Sequence, residues 1–181
     1  LRTSSRARNS SLSCVLIGPR AAGKSTLAPN LARALGWSCH DLDGGIVAAT
    51  KQPIKALVAE QGWSAFRALE QEHLADALAH QDVVIATGAG AVEAPDNQLM
   101  LQRTQAAVIW LDVDVETQLM RLTNDPSRPR LHPELSLRAE LERLDQRRRP
   151  LYAACASISL EASGPAADLL SQCLRHLGAS S

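Results

Sequence analysis

Cys14-Val15-Leu16-Ile17-Gly18-Pro19-Arg20-Ala21-Ala22-Gly23-Lys24-Ser25-Thr26 is the stretch that decides how this chain folds. Four mostly branched apolar residues run into the loop pattern G-x-x-x-x-G-K-[ST], and Leu27, Leu31 and Leu35 follow at helical spacing. This reads as a buried strand, a phosphate-binding loop and an amphipathic helix. Backbone N–H groups of such a loop turn inward and, with the helix N-terminus, form a concave anion site. Gly18, Ala21, Ala22, Gly23, Lys24, Ser25 and Thr26 are therefore the candidate nucleotide contacts. Lys24 is placed to reach the β- and γ-phosphates of ATP, and the Ser25 hydroxyl to hold Mg2+. A chance glycine turn before Lys-Ser-Thr does not explain why strand, loop and helix arrive together.

The same alternation continues outward. Apolar runs at Ser13–Ile17, Ser38–Asp41, Asp82–Ala86, Ala107–Leu111 and Cys155–Leu160 read as five strands. Val83-Val84-Ile85 and Val108-Ile109-Trp110-Leu111 are unbroken apolar blocks, as parallel strands covered on both faces require. Helical periodicity fills the intervals at Trp63–His80, Val115–Asn124, Glu134–Arg147 and Pro165–Leu177. The fold class is thus α/β, built from βα units around a parallel sheet. Between two of the helices, residues 125–133 carry three prolines and cannot form a regular helix. Pro29 falls inside the first helix, where its ring crowds the Ser25 carbonyl, so a bend or an irregular first turn is expected there.

With 181 residues, 45% of them hydrophobic and 21% charged, the chain suits one compact domain. Its formal net charge of zero supplies no global attraction to nucleic acid or to a membrane surface. No apolar run approaches the roughly 18 residues of a membrane span. Cys14, Cys39, Cys155 and Cys173 lack metal-ligand or disulfide spacing, which favours a reducing, cytoplasmic setting. Residues 1–11, rich in Ser and Arg and without acids, read as a disordered tail or linker, leaving 12–181 as the domain. The five histidines show no ligand spacing, and Trp37, Trp63 and Trp110 read as packing residues.

Further short motifs follow in a fixed order. Asp41-Leu42-Asp43 comes after the second strand, and Phe66-Arg67-Ala68-Leu69-Glu70 lies on a helix. Ala86-Thr87-Gly88-Ala89-Gly90 comes after the third strand, Arg128-Pro129 sits in the proline-rich segment, and Arg148-Arg149-Pro150-Leu151-Tyr152 ends a basic helix. Together with the phosphate loop, this set resembles the shikimate kinase family over residues 12 to about 178. The resemblance implies a three-layer P-loop kinase with a five-stranded parallel sheet ordered 2-3-1-4-5 and a mobile lid at about 122–134. It also implies transfer of the γ-phosphoryl of ATP to the 3-hydroxyl of shikimate, by a monomer whose partners are these small molecules.

Carried over by position, Asp43 would grip the reacting hydroxyl and Asp41 would stand near Mg2+ through water. Arg67 and Arg148 would clamp the substrate carboxylate, a planar fork on a planar anion, with Glu70 holding Arg67 from one turn away. Gly88, Ala89 and Gly90 would offer backbone N–H groups to the substrate. Lys24 and the lid residue Arg128 would stabilise the transferring phosphoryl group, and Arg121 would stack on adenine. Three positions depart from the family pattern. Ala21 and Ala89 replace glycines, with strain expected at Ala89 if its φ is positive, and Val58 replaces a pocket aromatic. Plainer roles compete with these. Asp41 and Asp43 also suit a turn and helix cap, and Arg67 and Arg147-Arg148-Arg149 suit solvated helix positions. Two other functions stay open: a kinase of a related small hydroxy acid, and a weakly catalytic, effector-binding regulatory domain.

Overall fold

The computed structural model describes residues 13–122 and 132–179. Strands β1 (Cys14–Ile17), β2 (Ser38–Asp41), β3 (Val83–Ala86), β4 (Ala107–Asp112) and β5 (Ile158–Glu161) form one sheet in the order β2-β3-β1-β4-β5. Every pairing is parallel, as the apolar blocks predict. The connections carry α1 (Lys24–Leu35), α2 (Leu42–Thr50), α3 (Ile54–Leu78), α4 (Pro95–Arg103), α5 (Val115–Leu122), α6 (Leu137–Cys155) and α7 (Ala166–His176). A single 3-10 turn, Ala91–Glu93, leads into α4. The 1–11 tail and Arg128, with most of the expected lid, lie outside the described residues. Among the described residues, no helix is long and apolar enough to cross a membrane.

Strand side chains alternate between two buried faces. Cys14, Leu16, Val84, Ala86, Ile109 and Leu111 pack with Leu27, Leu31, Leu169 and Cys173 of α1 and α7. Val15, Ile17, Val83, Ile85, Val108 and Trp110 pack with Leu74, Leu101, Tyr152 and Cys155 of α3, α4 and α6. Both faces of β1, β3 and β4 are covered, so these three strands read as continuous apolar runs, whereas the edge strands β2 (Ser38-Cys39-His40-Asp41) and β5 (Ile158-Ser159-Leu160-Glu161) carry polar residues. Ile46, Leu57 and Phe66 make a third, smaller core joining α2 to α3.

Several expectations shift. α6 runs on past Arg147 to Cys155 and contains Pro150, so β5 begins at Ile158 and not at Cys155. Leu141, Leu144, Tyr152 and Cys155 are all buried at helical spacing, and this packing outweighs the one hydrogen bond that proline forfeits. α1 likewise spans Pro29, running from Lys24 to Leu35. The helical pattern expected from Trp63 is the second part of α3, set off from its first turns by Gly62 at φ 83° and ψ 168°. α2 was not legible, because Gly44, Gly45 and β-branched residues dilute its helical propensity.

Candidate active site

The phosphate loop sits between the carboxyl end of β1 and α1, at the crevice where open α/β sheets bind ligands. Gly18, Ala21 and Gly23 all have positive φ, at 142°, 58° and 92°. Those turns shape a loop whose residues Ala21 to Thr26 line a cavity of about 560 Å3. A Cβ at Gly18 would strike the Leu111 carbonyl oxygen on β4, so this glycine is required by space as well as by φ. Ala21, by contrast, holds a left-handed conformation with a side chain in place. Lys24 is buried, and its Nζ donates to the carbonyls of Gly18 and Pro19 at 2.7 Å each. Arg121 reaches the same cavity from α5. Its guanidinium donates to the carbonyls of Ala21 (2.9 Å), Ala162 (2.9 Å) and Ser163 (3.1 Å), tying the loop to the segment after β5.

A second cleft opens beside the first, and Arg20 lines both. Its other walls are Asp43, Ile54, Trp63, Phe66, Arg67, Glu70, Arg148 and the Gly88-Ala89-Gly90 turn. The structure therefore brings Asp43, Arg67 and Arg148 together from α2, α3 and α6. Asp41 ends β2 and caps α2, its Oδ1 accepting from the N–H groups of Asp43 (3.1 Å) and Gly44 (3.4 Å). The plainer expectation for Asp41 thus holds, and the cap fixes where Asp43 points. Asp43 itself is buried at 7% exposure.

Two charged residues occupy core positions of their helices. Glu70 lies in the stripe with Phe66, Leu74 and Ala77 and is fully buried. Arg148 lies in the stripe of Leu141, Leu144, Tyr152 and Cys155 at 3% exposure. Arg67 Nη1 donates to Glu70 Oε2 at 2.7 Å, the contact expected one turn apart. The Arg67 guanidinium also lies over Trp63 and Phe66, 5.5 and 5.4 Å from the ring centroids. Arg148 Nη2 donates to Glu93 Oε2 at 2.9 Å. Burial pushes the Glu70 carboxyl above its usual range, against the opposing pull of Arg67. Burial acts in the same sense on Glu93, but the Arg148 hydrogen bond and the charges of Arg148, Arg147 and Arg67 outweigh it and hold Glu93 below its usual range. Of the arginine triplet only Arg148 turns inward. Arg149 instead pairs with Asp112 (2.9 Å) and Asp145 (3.2 Å) over the Trp110 ring.

The Gly88-Ala89-Gly90 turn explains its own composition. A Cβ at Gly88 would overlap the Glu70 carboxylate, and one at Gly90 would overlap the Arg67 guanidinium. A side chain at either glycine would have to displace these charged groups from the cleft wall. Ala89 has no positive φ, so the strain anticipated there does not arise. The Tyr152 hydroxyl donates to the Ala89 carbonyl at 2.6 Å and anchors the turn to α6.

Val58 packs against the third core and does not line the cleft, whose aromatic walls are Trp63 and Phe66. Trp63 therefore has a place at the site beyond packing. The sequence alone assigns no site role to Arg20, Trp63, Tyr152 or Glu93, although Arg20 and Tyr152 stand inside quoted motifs. Arg20 stood inside the phosphate loop, and Glu93 stood three residues after Gly90, so position alone offered a signal for both.

The family model described as shikimate kinase matches residues 20–178. A shikimate kinase of Nitratidesulfovibrio vulgaris is 38% identical over 158 residues, covering 86% of this chain and 89% of that protein. One from Nostoc punctiforme is 40% identical over 137 residues, covering 76% and 74%. The solved shikimate kinase from Acinetobacter baumannii in complex with shikimate superposes with a TM-score of 0.87 at 32% identity, covering 92% of each chain.

Proposed function

The chain belongs to the shikimate kinase family, and we propose that it transfers the γ-phosphoryl group of ATP to the 3-hydroxyl of shikimate. The observation that carries this reading is the shared wall. A cavity walled by the phosphate loop and a cleft holding Asp43, Arg67 and Arg148 meet at Arg20. A triphosphate in the first and a small carboxylate-bearing polyol in the second would bring a hydroxyl up to a terminal phosphorus.

In this reading Gly18, Ala21, Ala22, Gly23, Lys24, Ser25 and Thr26 cradle the phosphates, and Arg121 lies against the adenine. Lys24 exchanges its carbonyl partners for phosphate oxygens and offsets the charge that builds on them. Arg67 and Arg148 present forked donors to the acceptor carboxylate, and the N–H groups of Gly88, Ala89 and Gly90 face its ring. Asp43 accepts a hydrogen bond from the 3-hydroxyl, orients its oxygen toward phosphorus and takes its proton as the new bond forms. Arg128, outside the described residues, is assigned to the transferring phosphoryl group by the family pattern alone.

The donor set suits Mg2+. The Ser25 hydroxyl stands at the start of α1 in the phosphate cavity, Asp41 ends β2, with β3 between it and β1, and both offer the hard oxygen that this ion prefers. Bound there, the ion would neutralise charge on the β- and γ-phosphates. The net charge of zero supports small-molecule partners over nucleic acid or membrane.

ADP release from Mg-ATP, measured with shikimate, quinate and gluconate in turn, tests the proposal. A saturable rate with shikimate, lowered at least a hundred-fold in Asp43→Asn with ADP affinity retained, is expected if Asp43 serves as base. Release only with another acid selects the related kinase. Tight shikimate binding without release selects the regulatory domain.

A further inference from the structure

The two arginines of the cleft share a single acidic neighbour that is not part of the cleft wall. Glu93 Oε2 lies 2.9 Å from Arg148 Nη2 and 3.7 Å from Arg67 Nη2, and Glu93 Oε1 lies 3.1 Å from Arg147 Nε. Only 13% of its side chain is exposed. Arg67 and Arg148 line the cleft and Glu93 does not, so its carboxylate takes them from outside the ligand space. It is carried by the 3-10 turn that begins directly after Gly90. The backbone expected to face the acceptor and the acid that contacts the guanidinium groups thus belong to one continuous turn.

Two long arginines on different helices cannot hold a common geometry unaided, because each has several rotatable bonds and the two repel. A carboxylate between them removes both problems. Glu70 fixes one edge of Arg67, Glu93 stands by another, and among the ion pairs of the described residues Glu93 is the acid that contacts both Arg67 and α6. Arg148 Nε is buried with no hydrogen-bond partner among the described residues, a donor left over once Glu93 has taken Nη2.

We propose that Glu93 is a positioning residue for acceptor recognition: it bridges Arg67 and Arg148 from behind and so sets the fork that receives the acceptor carboxylate. It touches neither nucleotide nor acceptor. The inference rests on the assignment of this cleft to a carboxylate-bearing acceptor. Its signature is selective, since binding energy that depends on Glu93 is confined to the carboxylate end of the ligand.

The test compares wild type, Glu93→Ala and Glu93→Gln in steady-state ADP release. Inhibition constants for shikimate methyl ester, which lacks the anion, are measured in parallel. Glu93→Ala is expected to raise KM for shikimate about ten-fold, leaving kcat and KM for ATP within about two-fold. Affinity for the methyl ester is expected to change less than about two-fold, the mark of an effect confined to the carboxylate. Glu93→Gln keeps an acceptor for Arg148 and recovers at least half of the loss; it is also the variant to read if the alanine protein does not fold. An unchanged shikimate KM in both variants overturns the inference. So does equal weakening of shikimate and its ester, or a parallel loss in kcat and ATP binding, which marks a purely structural role. A wild-type protein without shikimate-dependent ADP release overturns the functional reading itself, and the inference with it.

Discussion

Two alanines standing where the family pattern has glycine behave in opposite ways. Ala21 has φ 58° and so bears the left-handed cost, about 1 kcal/mol or more for a residue with a Cβ. Ala89 has no positive φ and bears none. Ala21→Gly is therefore expected to stabilise the protein by about 1 kcal/mol, and Ala89→Gly to destabilise it by about 0.5–1 kcal/mol. Urea unfolding of both variants checks this, and the sign difference is the test. Asp41 can be resolved at the same scale, because a cap and a metal-linked carboxylate ask different things of it. Asn caps a helix as well as Asp does, so Asp41→Asn should preserve stability, whereas Asp41→Ala should lose about 1 kcal/mol. If Asp41 also serves Mg2+, Asp41→Asn raises the Mg2+ concentration needed for half-maximal ADP release. An unchanged requirement leaves it a cap alone.

At the scale of the element, the site is made by charged residues set into apolar helical stripes. Glu70 on α3 and Arg148 on α6 occupy positions where a core residue is expected, and each helix carries its charge inward with it. This was legible only in part. The triplet Arg147-Arg148-Arg149 looks like a solvated helix end until α6 is known to continue through Pro150 to Cys155, which makes Arg148 the inward residue. A proline in sequence argues for termination, and only tertiary packing reverses that argument. Burial of Glu70 has a thermodynamic consequence. Its carboxyl holds a proton to higher pH in the folded protein than the ordinary value of 4.5, burial being opposed by Arg67. Between those two values the folded state binds more protons than the unfolded one, so Glu70 removes stability as pH rises. The stability difference between wild type and Glu70→Gln, from urea unfolding at several pH values above 4.5, should fall with pH. A difference that rises would mean that the Arg67 ion pair outweighs burial. Glu93, held below its usual range, acts oppositely, contributing stability above 4.5 that is lost as pH falls through its folded value.

At the scale of the molecule, the architecture was legible because its signals are redundant. Apolar blocks buried on both faces, one phosphate loop and a regular βα alternation all specify the same sheet, and the order β2-β3-β1-β4-β5 agrees with the family resemblance. The acceptor cleft was legible as a set of residues but not as an arrangement. Nothing in a linear pattern shows that Gly88 and Gly90 make room for Glu70 and Arg67, or that Glu93 joins two arginines 81 positions apart in the chain, Arg67 and Arg148. Those relations arise only when α2, α3, α6 and the turn after β3 converge at the carboxyl ends of the strands. The convergence amounts to one chemical claim, that a phosphoryl group leaving the loop meets one hydroxyl of a clamped acid. Phosphorus NMR of the product formed from Mg-ATP and shikimate measures that directly. The account predicts a single phosphate monoester whose phosphorus couples to the ring proton at carbon 3. Inorganic phosphate alone, or an ester on another hydroxyl, would contradict it.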